Sequence, residues 1–521
     1  MAHPIDQEER TPAMNDRSAA RQPEAVLPPS VPGRRPARFG GVEKHGTEYI
    51  PEEERHSSPR NLSTILFGGS LTFGLIIIGW FPISFGLSWW QAASAVVVGS
   101  AFGAALLAPT GLLGPRTGTN NPVSSGAFFG VGGRLIGSVL EATASVTFAA
   151  LSIWTGGDAL AGALTRFFGL GNTEPIRLMA YGVLAIVVTT ISVFGHFSMV
   201  FCQKVMIPTA GTCLIVGLFV YGGDFDLGYP GTGIYELGSA PAAWLLSALL
   251  CASTVASYGP YTGDWTRHIS PREHGDRSLL RAIFIGGLFG LGGPFMWGVF
   301  SSVALFSAQA PEAGTSYVMA LTNATPIWFV PALIYIGLAS GTAQAVINTY
   351  GTGLDTSAII PRLNRVQATL LACVFATALV YVGHFYAVLA DGVVVFLALL
   401  ACTSTPWIII LTIGHFRRRG YYNTDDLQVF NRRQKGGIYW FTGGLNYVAL
   451  TVWLLSVAAG LLFANNQWFS APGSRLLGGM DAGFLVAGGV AAVLYPLALR
   501  IFPEPADVLG PGVLTNAERS D

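Results

Sequence analysis

Residues 62–87 read LSTILFGGSLTFGLIIIGWFPISFGL, and residues 242–260 read AAWLLSALLCASTVASYGP. Both runs are apolar enough to enter lipid, and both carry residues that a continuous helix tolerates badly. In hydrocarbon every backbone polar group must find a partner within the chain, so an apolar run of about 20 residues crosses only as a helix. Gly68, Gly69, Gly74 and Gly79, with Ser70 and Thr72 among them, weaken that ladder in the first run. The end Ser257-Tyr258-Gly259-Pro260 does so in the second. Such interruptions free carbonyls and amides near mid-membrane.

The same apolar character recurs along the chain. Twelve stretches read as membrane helices: Leu62–Leu87, Trp90–Gly111, Leu135–Gly157, Ile176–Phe194, Phe201–Tyr221, Ala242–Tyr258, Leu279–Phe306, Trp328–Tyr350, Gln367–Tyr381, Val388–Ile413, Ile438–Phe463 and Ala482–Ile501. Hydrophobic residues make up 51% of the 521 and charged ones 11%, against roughly a quarter charged in soluble domains. The excess apolar surface must face lipid. The 65 glycines fit helices that approach closely or break. All five cysteines fall inside apolar stretches and read as small buried hydrophobes, with no metal-knuckle spacing and no disulfide expected.

Loop charge orients the protein. The loops after the even-numbered stretches hold fifteen basic residues, from Arg116 and Arg134 to the run Arg417–Arg419 and Lys435; the opposite loops hold three, Arg166, Arg177 and Arg475. This positive-inside pattern predicts an integral protein of the plasma (inner) membrane with both termini cytoplasmic. The basic run Arg417–Arg419 is expected to fix topology and to meet anionic lipid heads. Residues 1–60 are rich in Pro, Arg, Glu and Ser and predict a disordered tail; no signal peptide is expected. The organisation predicted is therefore a tail over 1–60, a ten-helix core over 61–415, a basic loop over 416–437, two further helices over 438–502 and a polar tail over 503–521.

The interrupted stretches are the first and the sixth, the first members of two five-helix halves. Broken helices in matching positions of two inverted repeats point to a transporter's binding site. An enzyme is not expected: His196, His384 and His415 are scattered singly, and no HExxH, GxSxG or Walker pattern occurs. A channel would show repeated pore loops or rings of like charge. No nucleic-acid partner, obligate protein partner or cofactor is expected. The partners predicted are a small-molecule substrate and membrane lipids.

Four segments carry a family resemblance: Gly114-Pro115-Arg116-Thr117-Gly118, the run Ser257-Tyr258-Gly259-Pro260-Tyr261-Thr262-Gly263-Asp264-Trp265-Thr266-Arg267, Ile50-Pro51-Glu52-Glu53-Glu54-Arg55, and Asn348-Thr349-Tyr350. Together they resemble the purine-cytosine permease branch of the nucleobase:cation symporters, over about residues 45 to 500. The resemblance implies an all-α membrane protein of twelve helices, ten of them in a five-plus-five inverted repeat, that imports a nucleobase or related planar heterocycle on a proton or sodium gradient. It places substrate between helices 1, 3, 6 and 8. An amino-acid symporter of the same fold is the alternative.

A nucleobase needs aromatic faces, each contributing roughly 1–3 kcal/mol, and amides or hydroxyls for its edge. Phe148 and Ser152, four residues apart, share a helix face. They stand where the family pattern has Trp and Asn, which narrows the stacking plate and removes an amide. Tyr258 falls where the family places its second aromatic, with Ser257 beside it. Gln344 and Asn348 are again four apart, and Thr72 and Phe73 lie at the first interruption. A sodium site of this fold resembles carbonyls at the helix 1 break joined by helix 8 hydroxyls, which implies Gly69, Thr72, Ser340 and Thr342. Proton coupling would instead use a carboxyl at depth: Glu141 and Asp158 in the third stretch are the acids singled out. Asp264 paired with Arg116 or Arg267 is the expected inward latch.

Overall fold

The computed structural model describes residues 48–510 apart from 170–173, 195, 311–312, 315–316, 361, 387–388 and 466–468. The expected tail therefore lies outside the described residues over 1–47, as do residues 511–521. Among the described residues there is no strand beyond isolated bridges. The principal helices are α1 (Pro59–Gly68), α2 (Phe73–Ser84), α3 (Trp89–Leu107), α4 (Leu135–Phe168), α5 (Glu174–Phe194), α6 (His196–Tyr221) and α7 (Ala240–Ala256). They continue as α8 (Asp276–Ser307), α9 (Val330–Ile359), α10 (Arg365–Tyr386), α11 (Leu389–Arg417), α12 (Tyr447–Leu462) and α13 (Gly483–Ile501).

Nine helical runs among the described residues are long and apolar enough to cross a membrane, and α1 with α2 makes a tenth as a bent pair. The chain is an integral membrane protein. α7 and α12 are apolar but have only 17 and 16 residues, short of the ~20 that a straight crossing needs.

Both interruptions are present. α1 and α2 meet at 64°. α1 ends at Gly68, the Ser70 hydroxyl turns back to the Leu66 carbonyl at 2.5 Å, and Thr72 caps α2 by accepting the Gly74 amide at 3.3 Å. Ser and Thr thus take over backbone groups that the broken ladder releases. α7 stops at Ala256, and a run of turns over 257–261 leads into the short helix Thr262–Thr266.

Two helices run further than the sequence predicts. α4 continues past Gly157 to Phe168, and α9 continues past Tyr350 to Ile359. In α4, glycine marks packing rather than a stop. A Cβ on Gly156 would stand 2.7 Å from the Gly337 carbonyl oxygen of α9, so only glycine lets these two backbones meet. In α9 the polar residues after Tyr350 face the interior: Thr352 and Asp355 are buried. α2 and α8 touch as closely, since a Gly79 Cβ would fall 1.8 Å from the Phe295 carbonyl oxygen.

Three expectations about the ends need correction. The 1–60 tail does not extend to residue 60, because residues 48–58 pack on the helices and α1 starts at Pro59. The tail expected from Pro503 is anchored: Glu504 pairs with Arg418 at 2.5 Å, and Val508 is fully buried. Arg418 itself is not a lipid-facing member of the basic run. It is buried, donates to the Ala127 carbonyl and lies over the Phe128 ring at 4.6 Å.

Gly79→Val should abolish recovery of monodisperse protein from detergent extracts, as read by size-exclusion of a fluorescent fusion. Gly489→Ala, where a Cβ meets open space, should leave the elution peak unchanged.

Candidate functional site

The two interruptions, α4 and α9 converge on a buried aromatic and amide cluster. Phe148 of α4 and Tyr258 of the second interruption lie with ring centroids 6.0 Å apart, tilted by 41°. Gln344 of α9 donates from Nε2 to the Tyr258 hydroxyl at 2.6 Å. Thr72 and Phe73 are fully enclosed at the start of α2, and a Cβ on Gly74 would contact Leu151 and Thr155 of α4. Every predicted substrate residue is buried.

The side chains differ in what they leave free. The Ser152 hydroxyl donates to the Phe148 carbonyl and that of Ser257 to the Thr254 carbonyl, each within its own helix or turn. Thr72 caps α2. Asn348 is different: it is 0% exposed, yet its Nδ2 and Oδ1 have no hydrogen-bond partner, and neither does Gln344 Oε1. Leaving a buried polar group unpaired costs about 1–3 kcal/mol, so such groups are rare in native structures and ask for an explanation. Two amide heads with free donors and acceptors beside a pair of rings suit the edge and face of a planar heterocycle.

Sequence reasoning missed Phe396. It comes from α11 and meets Phe148 edge-on, with centroids 6.1 Å apart at 80°. A single phenylalanine inside an apolar stretch gives no sign of which way it faces.

The predicted sodium ligands do not gather as simply. The side chain of Ser340 lies outside the described residues. The Thr342 hydroxyl donates to the Leu338 carbonyl. Gly69 packs against Ile347, whose Cδ1 would lie 2.0 Å from a Cβ there. Between α1 and α9 stands a residue not foreseen, Gln203 of α6. It is fully buried, abuts Gly68 and donates from Nε2 to the Ala343 carbonyl at 3.0 Å. A carbonyl next to the expected ligand Thr342 is thus already engaged by an amide. Gln203 lies near the start of the predicted stretch Phe201–Tyr221, beside the charged Lys204, so its burial was not legible there.

The GPRTG segment, the 50–55 strap and the 257–267 run interlock. A Cβ on Gly114 would sit 2.3 Å from Thr266 Oγ1, and Gly118 adopts φ +66°. The Ile50 amide donates to the Gly118 carbonyl at 2.9 Å, and Arg55 donates to the Pro115 carbonyl at 2.8 Å. Burial pulls the Arg55 guanidinium below its ordinary value, opposed by the adjacent Tyr49, Glu52 and Glu53. The Asn121 amide bonds the carbonyls of Thr110 and Gly259 together with the Thr262 hydroxyl. The GPRTG segment and the 257–267 run are therefore two sides of one contact.

The arginines of the expected latch have these partners. Arg116 does not reach Asp264: it pairs with Asp276 at 3.0 Å on the surface. Arg267 is fully buried and donates to the Tyr350 hydroxyl at 3.2 Å. Asp158 is half-buried. It lies within α4 and accepts a hydrogen bond from the Tyr181 hydroxyl, far along the helix from Glu141. Glu141 is buried beside Asp264 and Asp355, and Asp355 was missed because the eighth stretch was ended at Tyr350.

A buried ring-and-amide cluster at two helix interruptions in an all-helical membrane protein is the arrangement of a solute carrier. Residues 49–490 match the family of permeases for cytosine and purines, uracil, thiamine and allantoin, and the chain belongs to that family. It is 24% identical over 475 residues to the putative purine-cytosine permease YxlA of Bacillus subtilis (strain 168), covering 88% of this chain and 96% of that one. Among solved structures it is similar to Mhp1, a nucleobase-cation-symport-1 family transporter, in a closed conformation with bromovinylhydantoin bound. The TM-score is 0.67 at 19% identity, covering 91% of this chain and 98% of the other. The inward-facing conformation of Mhp1 aligns with a TM-score of 0.62 at 17% identity, covering 91% and 97%.

Asn348→Leu should raise the melting temperature of the ligand-free protein, because it removes two unpaired buried polar atoms, and should abolish stabilisation by any bound heterocycle. Thermal unfolding in detergent with and without cytosine, purines and hydantoins reads both effects.

Proposed function

We propose that the protein is a cation-coupled symporter that imports a nucleobase or a related planar heterocycle, cytosine or a purine foremost, across the plasma (inner) membrane by alternating access. The single observation that carries this reading is the partnerless amide head of Asn348, with the unpaired Oε1 of Gln344, beside the rings of Phe148 and Tyr258. The rings take the faces of the heterocycle. Asn348 donates to and accepts from its edge, and Gln344 holds the Tyr258 hydroxyl in place. Phe73, Thr72, Ser152 and Ser257 line the remaining wall, and Phe396 closes it from α11.

In this reading α7 and α12 complete twelve spans, with the turn after α7 reaching the inner face. The first ten spans form the five-plus-five inverted repeat that sets the two interruptions face to face. Both termini lie in the cytoplasm. The coupling ion is a proton or sodium, the latter through Gly69, Thr72, Ser340 and Thr342. The membership of the permease family and the likeness in fold to Mhp1, itself captured closed and inward-facing, support alternating access.

Uptake into proteoliposomes with a panel of heterocycles, under sodium and proton gradients separately, tests the proposal. Accumulation of a nucleobase, not displaced by amino acids, supports it; uptake of an amino acid alone overturns it in favour of the amino-acid alternative. Phe148→Ala and Tyr258→Ala should each weaken apparent affinity by about one to two orders of magnitude, each tenfold step being about 1.4 kcal/mol. Wild-type affinity in both variants at normal expression would place the site elsewhere.

A further inference from the structure

Two helical turns along from the ring-and-amide cluster, a second group of polar side chains is sealed inside the protein. Glu141 precedes Phe148 by seven residues on α4, and Asp355 follows Asn348 by seven on α9. Seven residues are about two turns, so each carboxyl lies on the same helix face as its substrate-site residue and about 10 Å from it along the axis. Asp264 follows Tyr258 by six residues and joins them from the short helix Thr262–Thr266. Asp264 Oδ2, at 2.9 Å, and Glu141 Oε1, at 3.3 Å, both approach the point that a Gly351 Cβ would occupy, and Ser145 Oγ stands 3.5 Å from it. Glycine at 351 is what leaves room for the two acids to meet.

All three acids are 0% exposed. Neither oxygen of Glu141 has a hydrogen-bond partner; Asp355 accepts from Asn120 Nδ2 at 3.4 Å through one oxygen and leaves the other unpaired. Two further buried polar groups without partners point into the same space. They are the Ser145 hydroxyl and the Tyr261 hydroxyl, the latter set against Ser145 with Glu141 and Asp355 nearby. The facing charges come from every neighbouring element. Arg134, at the start of α4, faces Asp355, while its Nη2 donates to Asn431 at 2.6 Å and its guanidinium lies 4.5 Å from the Phe430 ring. Arg267 faces Asp355 as well and donates to Tyr350. Among the described residues the three acids face two guanidinium groups, and a buried carboxylate repelled by two others at close range carries a strongly unfavourable charge. One proton, shared among the three, removes it and supplies the missing donor between carboxyl oxygens. Two guanidinium groups in the same pocket oppose a metal cation.

The acids do not belong to one rigid element. Glu141 and Asp355 sit on α4 and α9, which are packed together through Gly156 and Gly337, whereas Asp264 follows the interruption after α7. An opening at that interruption would part Asp264 from the other two and admit water to them.

We propose that Glu141, Asp264 and Asp355 form a proton-binding site that holds the cytoplasmic side of the substrate cluster shut, and that the proton they share is the coupling ion. One carboxylate oxygen takes a proton arriving from the outer side, forming a single O–H bond. When the three acids part, that bond breaks and the proton passes to cytoplasmic water. This rests on the transport reading above and names its ion. Gln203, which engages the Ala343 carbonyl next to the expected sodium ligand Thr342, agrees with it.

Two measurements on the full-length protein separate this inference from that reading. The first needs no substrate: infrared pH-difference spectra of the purified wild type should contain a protonated-carboxyl band that is lost in both Glu141→Gln and Asp355→Asn. Spectra in which neither substitution alters such a band would overturn the proton site even if transport is confirmed. The second uses proteoliposomes and radiolabelled cytosine. An inward proton gradient should drive accumulation by the wild type. Glu141→Gln should reduce that accumulation at least tenfold, while cytosine still protects the solubilised variant against thermal unfolding, which reports that it is folded and binds. Accumulation driven by sodium and indifferent to pH in the wild type, or unchanged in Glu141→Gln, would contradict the proposal. Failure of every heterocycle to bind the wild type would instead strike the transport reading, and the infrared result would still decide whether the site holds a proton.

Discussion

An unbroken helix satisfies its own backbone and so has nothing to offer a polar solute in lipid. The structure depends on two places where that rule is suspended. At residues 69–72 and 257–261 the ladder stops, and short polar side chains (Ser70, Thr72 and Ser257) take over part of the freed hydrogen bonding. The interruptions are tolerated because they are buried in protein rather than lipid. α4 and α9 enclose them, and they can do so only because Gly156 and Gly337 let the two backbones touch. What the enclosure then holds is uneven: rings that satisfy themselves by packing, one amide, Gln344, that is half satisfied, and one, Asn348, that is not satisfied at all.

Much of this was legible in the sequence because lipid simplifies the physics. Apolar length and glycine-rich interruptions each carry a direct consequence, and the interruption at Gly68-Gly69 stands where composition places it. Phe148 and Tyr258 lie ring to ring, and Gln344 bonds the Tyr258 hydroxyl; the family resemblance, not spacing, is what named Tyr258. The failures have a common cause. Helix ends were read from polarity, but polarity inside a carrier also marks the interior. Asp355 looked like the start of a loop and lies within α9; Arg418 looked like a lipid-head contact and is buried under Phe128 and Tyr439. Gln203 and Phe396 show the complementary gap, since no periodicity in an all-apolar helix says which side faces a cavity and which faces lipid.

The contact between the GPRTG segment and the 257–267 run shows how sequence motifs without obvious chemistry acquire a physical meaning. Gly114 and Gly118 in the GPRTG segment permit close approach and a left-handed turn, and the carbonyls they present are taken by Arg55 and Ile50. Asn121 ties the same region to Gly259 and Thr262. The motif pair is a docking surface between the strap before α1, the segment after α3 and the segment after α7. The acids Glu141, Asp264 and Asp355 lie where that surface meets the substrate cluster, so a change of charge there and a change of shape at the interruption act on the same contact.

The account stands or falls on whether the partnerless amide of Asn348 meets a heterocycle between two rings. An experimental structure of the full-length protein with cytosine bound tests this most directly. The account predicts the base held between Phe148 and Tyr258 with its polar edge on Asn348; a base bound elsewhere, with Asn348 bonded to protein alone, would contradict it.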